Sequence, residues 1–410
     1  MGFDAMRISR LTRRDWLKQG AAALGMVGIA PSLVRAAIET PPEWEPQSDR
    51  KIRIGVVGGG FGLTFHWHEH PNCEVTAVSD LLPQRREMLQ NRYGCDKAYD
   101  SLEELVHDPD LDAVAVFTPV PDHARHTILC MEHGKHVIAA CPACITLEEA
   151  AQLKEVKERT GLKYMNAETS YYHPETIAMR QLVRDGVLGE ILYSEGEYYH
   201  PGIGRTTDSL SWGYGMPNSD DRTWRYGFPP MLYPTHSTAF IVGVTGERLA
   251  KVSCIGTTDP DEPALKDNDY DNPFLSGMAM FETDRGHPSR MNVSWHIHAH
   301  GERAQWFGTK GALYCPTWTG QPFILSVQGQ SNVTERPWFW ETLPPDMRYD
   351  SGHNGSHPHI SHEFVMALVE EREPAIDLYE SLAFCVPGIV AHDSALQGGA
   401  RLDVPCFDVT

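Results

Sequence analysis

The sequence predicts an α/β fold in two parts: a doubly wound parallel sheet, then an α+β region built on a large, open, mainly antiparallel sheet. Between residues 51 and 170, short apolar β-branched runs alternate with capped helical segments, as in a parallel sheet covered by helices. Beyond about residue 190, strand-like runs follow one another without helices between them, as antiparallel neighbours do. A chain of 410 residues, 41% of them hydrophobic, is long enough for two cores.

The chain opens on an address. Thr12-Arg13-Arg14-Asp15-Trp16-Leu17-Lys18 sets two arginines ahead of a weakly apolar run over 20–34, and Val34-Arg35-Ala36 offers small residues for cleavage. This predicts a twin-arginine signal over 1–36 and an exported protein, periplasmic or otherwise extracytoplasmic. The run is too short and too rich in Gly and Ala for a bilayer span, so no stable membrane insertion is expected once it is removed. Residues 37–50, with Pro41, Pro42, Glu43, Glu45 and Pro46, read as a polar linker.

The formal net charge of −20 repels phosphate backbones and anionic lipid, which argues against nucleic acid as a partner and favours a neutral one such as a sugar. Nine cysteines, among them Cys73, Cys130, Cys254 and Cys315 inside predicted elements, read as buried thiols. Cys141-Pro142-Ala143-Cys144 has redox spacing without a thioredoxin context.

In the first domain, 51–170, strands are expected over 53–57, 74–79, 113–117, 137–139 and 162–166. The capping boxes Ser101-Leu102-Glu103-Glu104 and Thr146-Leu147-Glu148-Glu149 open helices over 102–107 and 147–160, and a third helix, 122–133, ends at Gly134. The second domain, 171–405, begins with a helix over 174–188. Strands follow over 191–200, 252–256, 277–282, 291–300, 305–309 and 323–327, and helices over 359–371 and 380–398 close it, free to pack back on the first domain.

Ile54-Gly55-Val56-Val57-Gly58-Gly59-Gly60-Phe61-Gly62 follows a strand and is expected to open a helix. Gly58 permits a tight turn, Gly60 lets a pyrophosphate approach, and Gly62 stands in for the fingerprint's third glycine, whose place Leu63 holds. Asp80, twenty-two residues after Gly58 at the end of the second strand, suits ribose hydroxyls and repels a 2′-phosphate. Together these predict a Rossmann domain with NAD as cofactor; Asp80 as an N-cap for the segment after Pro83 is the alternative.

Several segments in order then resemble the Gfo/Idh/MocA oxidoreductases: the fingerprint with His66, Thr118-Pro119-Val120-Pro121-Asp122-His123, Gly134-Lys135-His136-Val137, and Gly189-Glu190-Ile191. The resemblance implies a substrate between the two domains, cofactor contacts from Phe61, Thr118, Pro119, His123, Ala140, Cys141 and Thr169, and a homo-oligomer formed through the C-terminal sheet. The family's Glu-Lys-Pro is replaced by Ala140-Cys141-Pro142, which removes the lysine that assists hydride transfer in simple dehydrogenases. Leu232-Tyr233-Pro234-Thr235-His236, with Trp224-Arg225, Glu168 and Glu195-Gly196-Glu197-Tyr198, is similar to the NAD-dependent α-N-acetylgalactosaminidase branch. That branch implies transient oxidation of a sugar hydroxyl, elimination, hydration and re-reduction.

Tyr233 and His236 are the candidate acid/base pair: histidine works near neutral pH, and a tyrosine does if a nearby cation lowers its pKa. Tyr198, Trp224, Arg225 and Glu168 are the candidate sugar ligands. A net sugar or polyol dehydrogenase and a non-catalytic sugar or nucleotide binder are the competing classes. No metal is expected. His296, His298 and His300 are placed on one face of a strand, where residues two apart stand roughly 7 Å from each other, too far to converge on an ion. His353, His357, His359 and His362 fall in a loop and a helix start.

Overall fold

The computed structural model describes residues 43–46, 48–201, 223–295, 297–298, 300–315 and 322–409, so the signal segment 1–36 and His296 lie outside the described residues. β1 (Ile52–Val57), β2 (Cys73–Ser79), β3 (Ala98–Tyr99), β4 (Ala113–Val116), β5 (His136–Ala139) and β6 (Tyr164–Asn166) form one sheet in the order β3-β2-β1-β4-β5-β6. Every pairing in it is parallel. β1 and β4, the neighbours at which the order reverses, are almost wholly apolar and buried, as strands covered on both faces must be. A crevice forms beyond their carboxyl ends, where the following loops part in opposite directions.

The covering helices are α1 (Pro83–Tyr93), α2 (Leu102–Leu105), α3 (His123–Glu132) and α4 (Leu147–Thr160). Both predicted caps form: Ser101 Oγ accepts the Glu104 amide at 3.2 Å and Thr146 Oγ1 that of Glu149 at 3.1 Å. One expectation fails beside them. The glycine turn opens no α-helix but two short 3₁₀ turns, Phe61–Thr64 and Trp67–Glu69. These seat Phe65 and Trp67 in the core, with Phe65 stacked on Phe117 at 4.7 Å, so packing of consecutive aromatics outweighs helix continuation. Little helix dipole is then available to a pyrophosphate, and backbone amides of the turn must serve instead.

After α5 (Pro174–Arg184) comes the second sheet: β7 (Ile191–Tyr199), β8 (Leu249–Thr257), β9 (Ser276–Thr283), β10 (Pro288–Ser294), β11 (Gly301–Gly308), β12 (Gly311–Tyr314), β13 (Ile324–Val327) and β14 (Leu402–Asp403). Its order is β13-β12-β11-β7-β10-β9-β8-β14, antiparallel except for the parallel pair of β10 and β7. Two details correct the sequence. An almost wholly buried helix, α6 (Thr235–Thr245), intervenes between β7 and β8; its apolar residues run all round, so it carries no amphipathic signal. The strand expected over 291–300 stops at Ser294, so His298 and His300 share no strand face.

The closing helices are α7 (His357–Val369) and α8 (Leu378–Leu396). α8 packs against β8, α6, α4 and β6, and so joins the two sheets. At that junction the Ala143 amide donates to Cys385 Sγ at 3.2 Å, and the Asn166 amide to the Ile376 carbonyl at 3.0 Å. The described part of the expected linker is docked rather than free: the Trp44 amide donates to the Glu341 carbonyl at 2.9 Å, and Asn72 Nδ2 to those of Ser48 and Arg50. Of the nine cysteines, all but Cys406 are buried free thiols.

Candidate active site between the two sheets

A cavity of about 1080 Å³ starts at the glycine turn and ends against the second sheet. Pockets for one drug-sized ligand span roughly 300–1,000 Å³. This volume suits an extended cofactor together with a small substrate.

At the nucleotide end the backbone itself makes the room. Gly58 has φ +98°, and a Cβ there would lie 2.3 Å from the Phe117 carbonyl oxygen, so only glycine fits between β1 and the end of β4. The Gly59 amide donates to Asp80 Oδ2 at 2.7 Å and the Leu82 amide to Oδ1 at 2.8 Å. Asp80 therefore ties the turn to Leu82, which itself holds the N-cap position of α1 in place of the Asp80 cap raised as the alternative from sequence, while still lining the cavity. Each oxygen keeps a second lone pair for a ribose hydroxyl.

Gly58, Gly60, Phe61, Thr118, Pro119, His123, Ala140, Cys141 and Thr169 all line the cavity. Gly62 does not: it is packed against Phe117 and Val56, where a Cβ would sit 3.1 and 3.2 Å from their side chains. His123 ties the walls together, its two ring nitrogens each 2.8 Å from a carbonyl, Thr118 on one side and Pro142 on the other. A glycine cradle, a carboxylate at the ribose position and a long cavity fit a dinucleotide.

The opposite wall belongs to α6 and β7. Tyr233 and His236, at the start of α6, have ring centroids 5.4 Å apart, and Tyr198 lies 4.6 Å from His236. The Arg225 guanidinium lies over the Trp224 ring at 4.3 Å. All five residues line the cavity. Glu168, expected among the sugar ligands, is fully buried behind His236 and contacts its Nδ1 at 2.7 Å. Its place makes it a partner of the imidazole and keeps it from the cavity.

The electrostatics follow from this burial. Loss of water opposes a charge on His236, but Glu168 and the Cys141 thiol carry its pKa well above the ordinary histidine range. Burial likewise opposes ionisation of Glu168, yet His236 brings it down to about 2. The pair is thus a buried imidazolium and carboxylate. Tyr233 departs from expectation: burial and neighbouring Cys141 raise it well above 10, outweighing the pull of His236 and Arg225. Its phenol stays neutral. Cys141 is also raised by burial, with its Sγ 3.8 Å from His236 Nε2.

Sequence patterns missed two residues here, Glu302 and Ser170, and placed a third, His353, only in a loop. Glu302, first but one in β11, reaches the cavity together with His300. Ser170 Oγ donates to Glu302 Oε2 at 2.5 Å and stands 3.2 Å from His236 Nδ1. His353 lines the cavity from a turn in which it and Asn354 have φ of 55° and 56°. Nothing in local sequence marks Ser170 or Glu302, because their meaning lies in meeting across 132 residues. The left-handed pair leaves a trace only in Gly352 and Gly355 flanking it. Among the described residues, Cys141, Glu168 and His236 are the one trio close enough to share an ion, with ligand atoms within 4.8 Å. His236 Nδ1 is already committed to Glu168.

Comparisons with known proteins agree with this geometry. Residues 52–168 match the Gfo/Idh/MocA oxidoreductase family, described as an NAD-binding Rossmann fold. A glycosyl hydrolase family 109 protein of Streptomyces coelicolor is 24% identical over 442 residues, covering 95% of this chain and 91% of that protein. Another from Porphyromonas gingivalis is 32% identical over 161 residues, 36% of this chain and 34% of that protein. Levoglucosan dehydrogenase, solved with NADH and L-sorbose, shares the fold with a TM-score of 0.73 over 87% of this chain and 100% of that one, at 18% identity. The apo scyllo-inositol dehydrogenase of Lactobacillus casei does so with a TM-score of 0.63, over 87% and 99% of the two chains at 17% identity. The chain thus carries the NAD-binding Rossmann domain of the Gfo/Idh/MocA oxidoreductases and is a homologue of the glycosyl hydrolase family 109 proteins.

Proposed function

We propose that this NAD-dependent enzyme cleaves a glycoside without net redox change, by transient oxidation of a sugar hydroxyl, elimination of the aglycone, addition of water and re-reduction. The observation that carries the proposal is that Tyr233 and His236, the latter paired from behind with Glu168, face the cavity that also contains the glycine turn, with the neutral Cys141 in place of a proton-shuttling lysine. The names of the family 109 relatives support the glycosidase outcome.

NAD, when bound, supplies a reversible hydride acceptor. Gly58, Gly60 and Asp80 would hold its nucleotide half. Held by Glu168 at Nδ1, His236 presents Nε2 toward Cys141, where its charge stabilises negative charge building on a sugar oxygen, the hydroxyl proton passing to solvent on oxidation and returning on re-reduction. The neutral Tyr233 phenol donates a hydrogen bond to the same oxygen. Arg225 binds hydroxyls, and Trp224 and Tyr198 pack on the sugar's apolar face.

Incubation of the purified protein with a panel of aryl glycosides, without added NAD, tests this. Aglycone release is expected. Accumulation of NADH with free sugars, and only when NAD is supplied, would instead identify a net sugar dehydrogenase.

We also propose export by the twin-arginine route, supported by Arg13-Arg14 and the run after them. Retention of an Arg13→Lys/Arg14→Lys variant in the cytoplasm, read by fractionation, is the expected result. Self-association through the second sheet is proposed from its apolar face. Ile255 (73% exposed) pairs across strands with Met278 (52%), and Met280 (49%) follows on β9. Light scattering should show a smaller particle for Ile255→Lys/Met278→Lys.

A further inference from the structure

Glu302 stands at the end of the cavity formed by β11 and has no part in the chemistry described so far. Its Oε2 accepts the Ser170 hydroxyl at 2.5 Å and lies 3.5 Å from His173 Nε2. Ser170 Oγ is in turn 3.2 Å from His236 Nδ1, so Glu302, Ser170, His236 and Glu168 form one buried chain of contacts. Glu302 also lines the cavity, within reach of a molecule bound there.

The two carboxyl groups of this chain live in opposite surroundings. Glu168 touches the imidazolium directly and keeps its negative charge. Glu302 has a hydroxyl and, in His173, a ring that burial keeps neutral by lowering its pKa to about 3. Burial, with Glu168 adding to it, holds Glu302 up to about 7 against the pull of His236 and Ser170. Two carboxyl groups driven apart in this way take opposite roles, one a fixed charge and the other a proton donor.

From this arrangement we infer that Glu302 is a second proton-transfer residue of the site, serving the glycosidic oxygen while His236 and Tyr233 serve the oxidised hydroxyl. The inference rests on the glycosidase reading above. As the C–H bond beside the transient carbonyl gives its proton to solvent and its electron pair to a double bond with the anomeric carbon, the pair of the bond from that carbon to the aglycone stays on the aglycone oxygen, which takes the proton of Glu302. When water then bonds to the anomeric carbon, the proton it sheds returns to the Glu302 carboxylate, the neighbouring carbon regains a proton from solvent, and the residue is restored.

The test compares a methyl glycoside with the 2,4-dinitrophenyl glycoside of the same sugar in the wild-type holoenzyme, Glu302→Gln and Glu302→Asp. A dinitrophenolate leaves without a proton, whereas an alkoxide needs one. Glu302→Gln should lose on the order of 10²-fold in kcat/KM on the methyl glycoside, the usual worth of a general acid, and change little on the dinitrophenyl one. Glu302→Asp should recover part of the loss. Equal losses on both substrates, with bound NAD and thermal midpoint unchanged, would reduce Glu302 to a structural group and overturn the inference. If the wild-type enzyme releases neither aglycone, the glycosidase reading itself fails and takes this inference with it.

Discussion

At the scale of single residues, the site turns on one ion pair in a place without water. A histidine alone at the position of His236 would be neutral, as its buried neighbour His353 is, held down to about 3. Glu168 at 2.7 Å reverses that sign. Replacing Glu168 by Gln keeps the shape and removes the charge, so the His236 pKa should fall. Activity at pH 7 to 8 should drop on the order of 10²-fold, and the residual rate should rise toward lower pH, where the imidazole regains its proton. Initial rates across pH check this, with NAD content measured after denaturation to show that the cofactor site survives. Stability should suffer less than the roughly 3–5 kcal/mol of a broken buried pair, since the stranded imidazole can discharge itself. A pH profile identical to wild type would separate His236 from its assigned role.

At the scale of elements, what matters is how α6 is held. Gly196 in β7 has no side chain because the Ser237 carbonyl oxygen of α6 lies 2.2 Å from where its Cβ would be. Ser237 Oγ also donates to the Asn292 carbonyl of β10 at 3.1 Å, which pins the helix to the sheet. Gly196→Ala must push α6 outward, carrying Tyr233 and His236 away from the turn at Gly58. A shift near 1 Å in catalytic geometry costs about 10²-fold. We expect that loss in kcat with NAD still bound, read by steady-state rates beside cofactor fluorescence. The same element shows why sequence reading went as far as it did. Strands β1, β2, β4, β5 and β6 and the helices with capping boxes were legible, because alternation and caps are local signals, whereas the two-residue β3 is too short to carry one. Tyr233 and His236 were legible through a motif, whereas α6 beneath them was not, being apolar on every side. Glu168 was picked out but misplaced, since only the fold reveals that it stands behind the imidazole.

At the scale of the whole molecule, an unusual share of the histidine is interior, which sets the pH range the protein tolerates. Burial, aided by neighbouring cations or other rings, holds His70, His173, His200, His353 and His359 down to about 3. Burial does the same to His126, His362 and His392, held near 4. A histidine depressed in the folded state contributes fully above its unfolded pKa of about 6.5. Below that the unfolded chain takes up protons the folded one refuses, and stability falls until the folded pKa is reached. Glu168, depressed to about 2, adds a loss that begins near its unfolded value in the carboxylate range. His236 has the opposite sign: its contribution is present below 6.5 and fades only as pH rises through its elevated pKa. The urea midpoint should therefore be highest from neutral to mildly alkaline pH and fall steeply from 6.5 toward 4.5, by up to about 1.4 kcal/mol per pH unit for each buried histidine. His392 isolates one share of that slope, because burial alone lowers it, beside Phe274. His392→Leu should flatten the decline by about one histidine's worth while leaving glycoside cleavage intact, and a midpoint that stays level between pH 7.5 and 5 in the wild type would contradict the account.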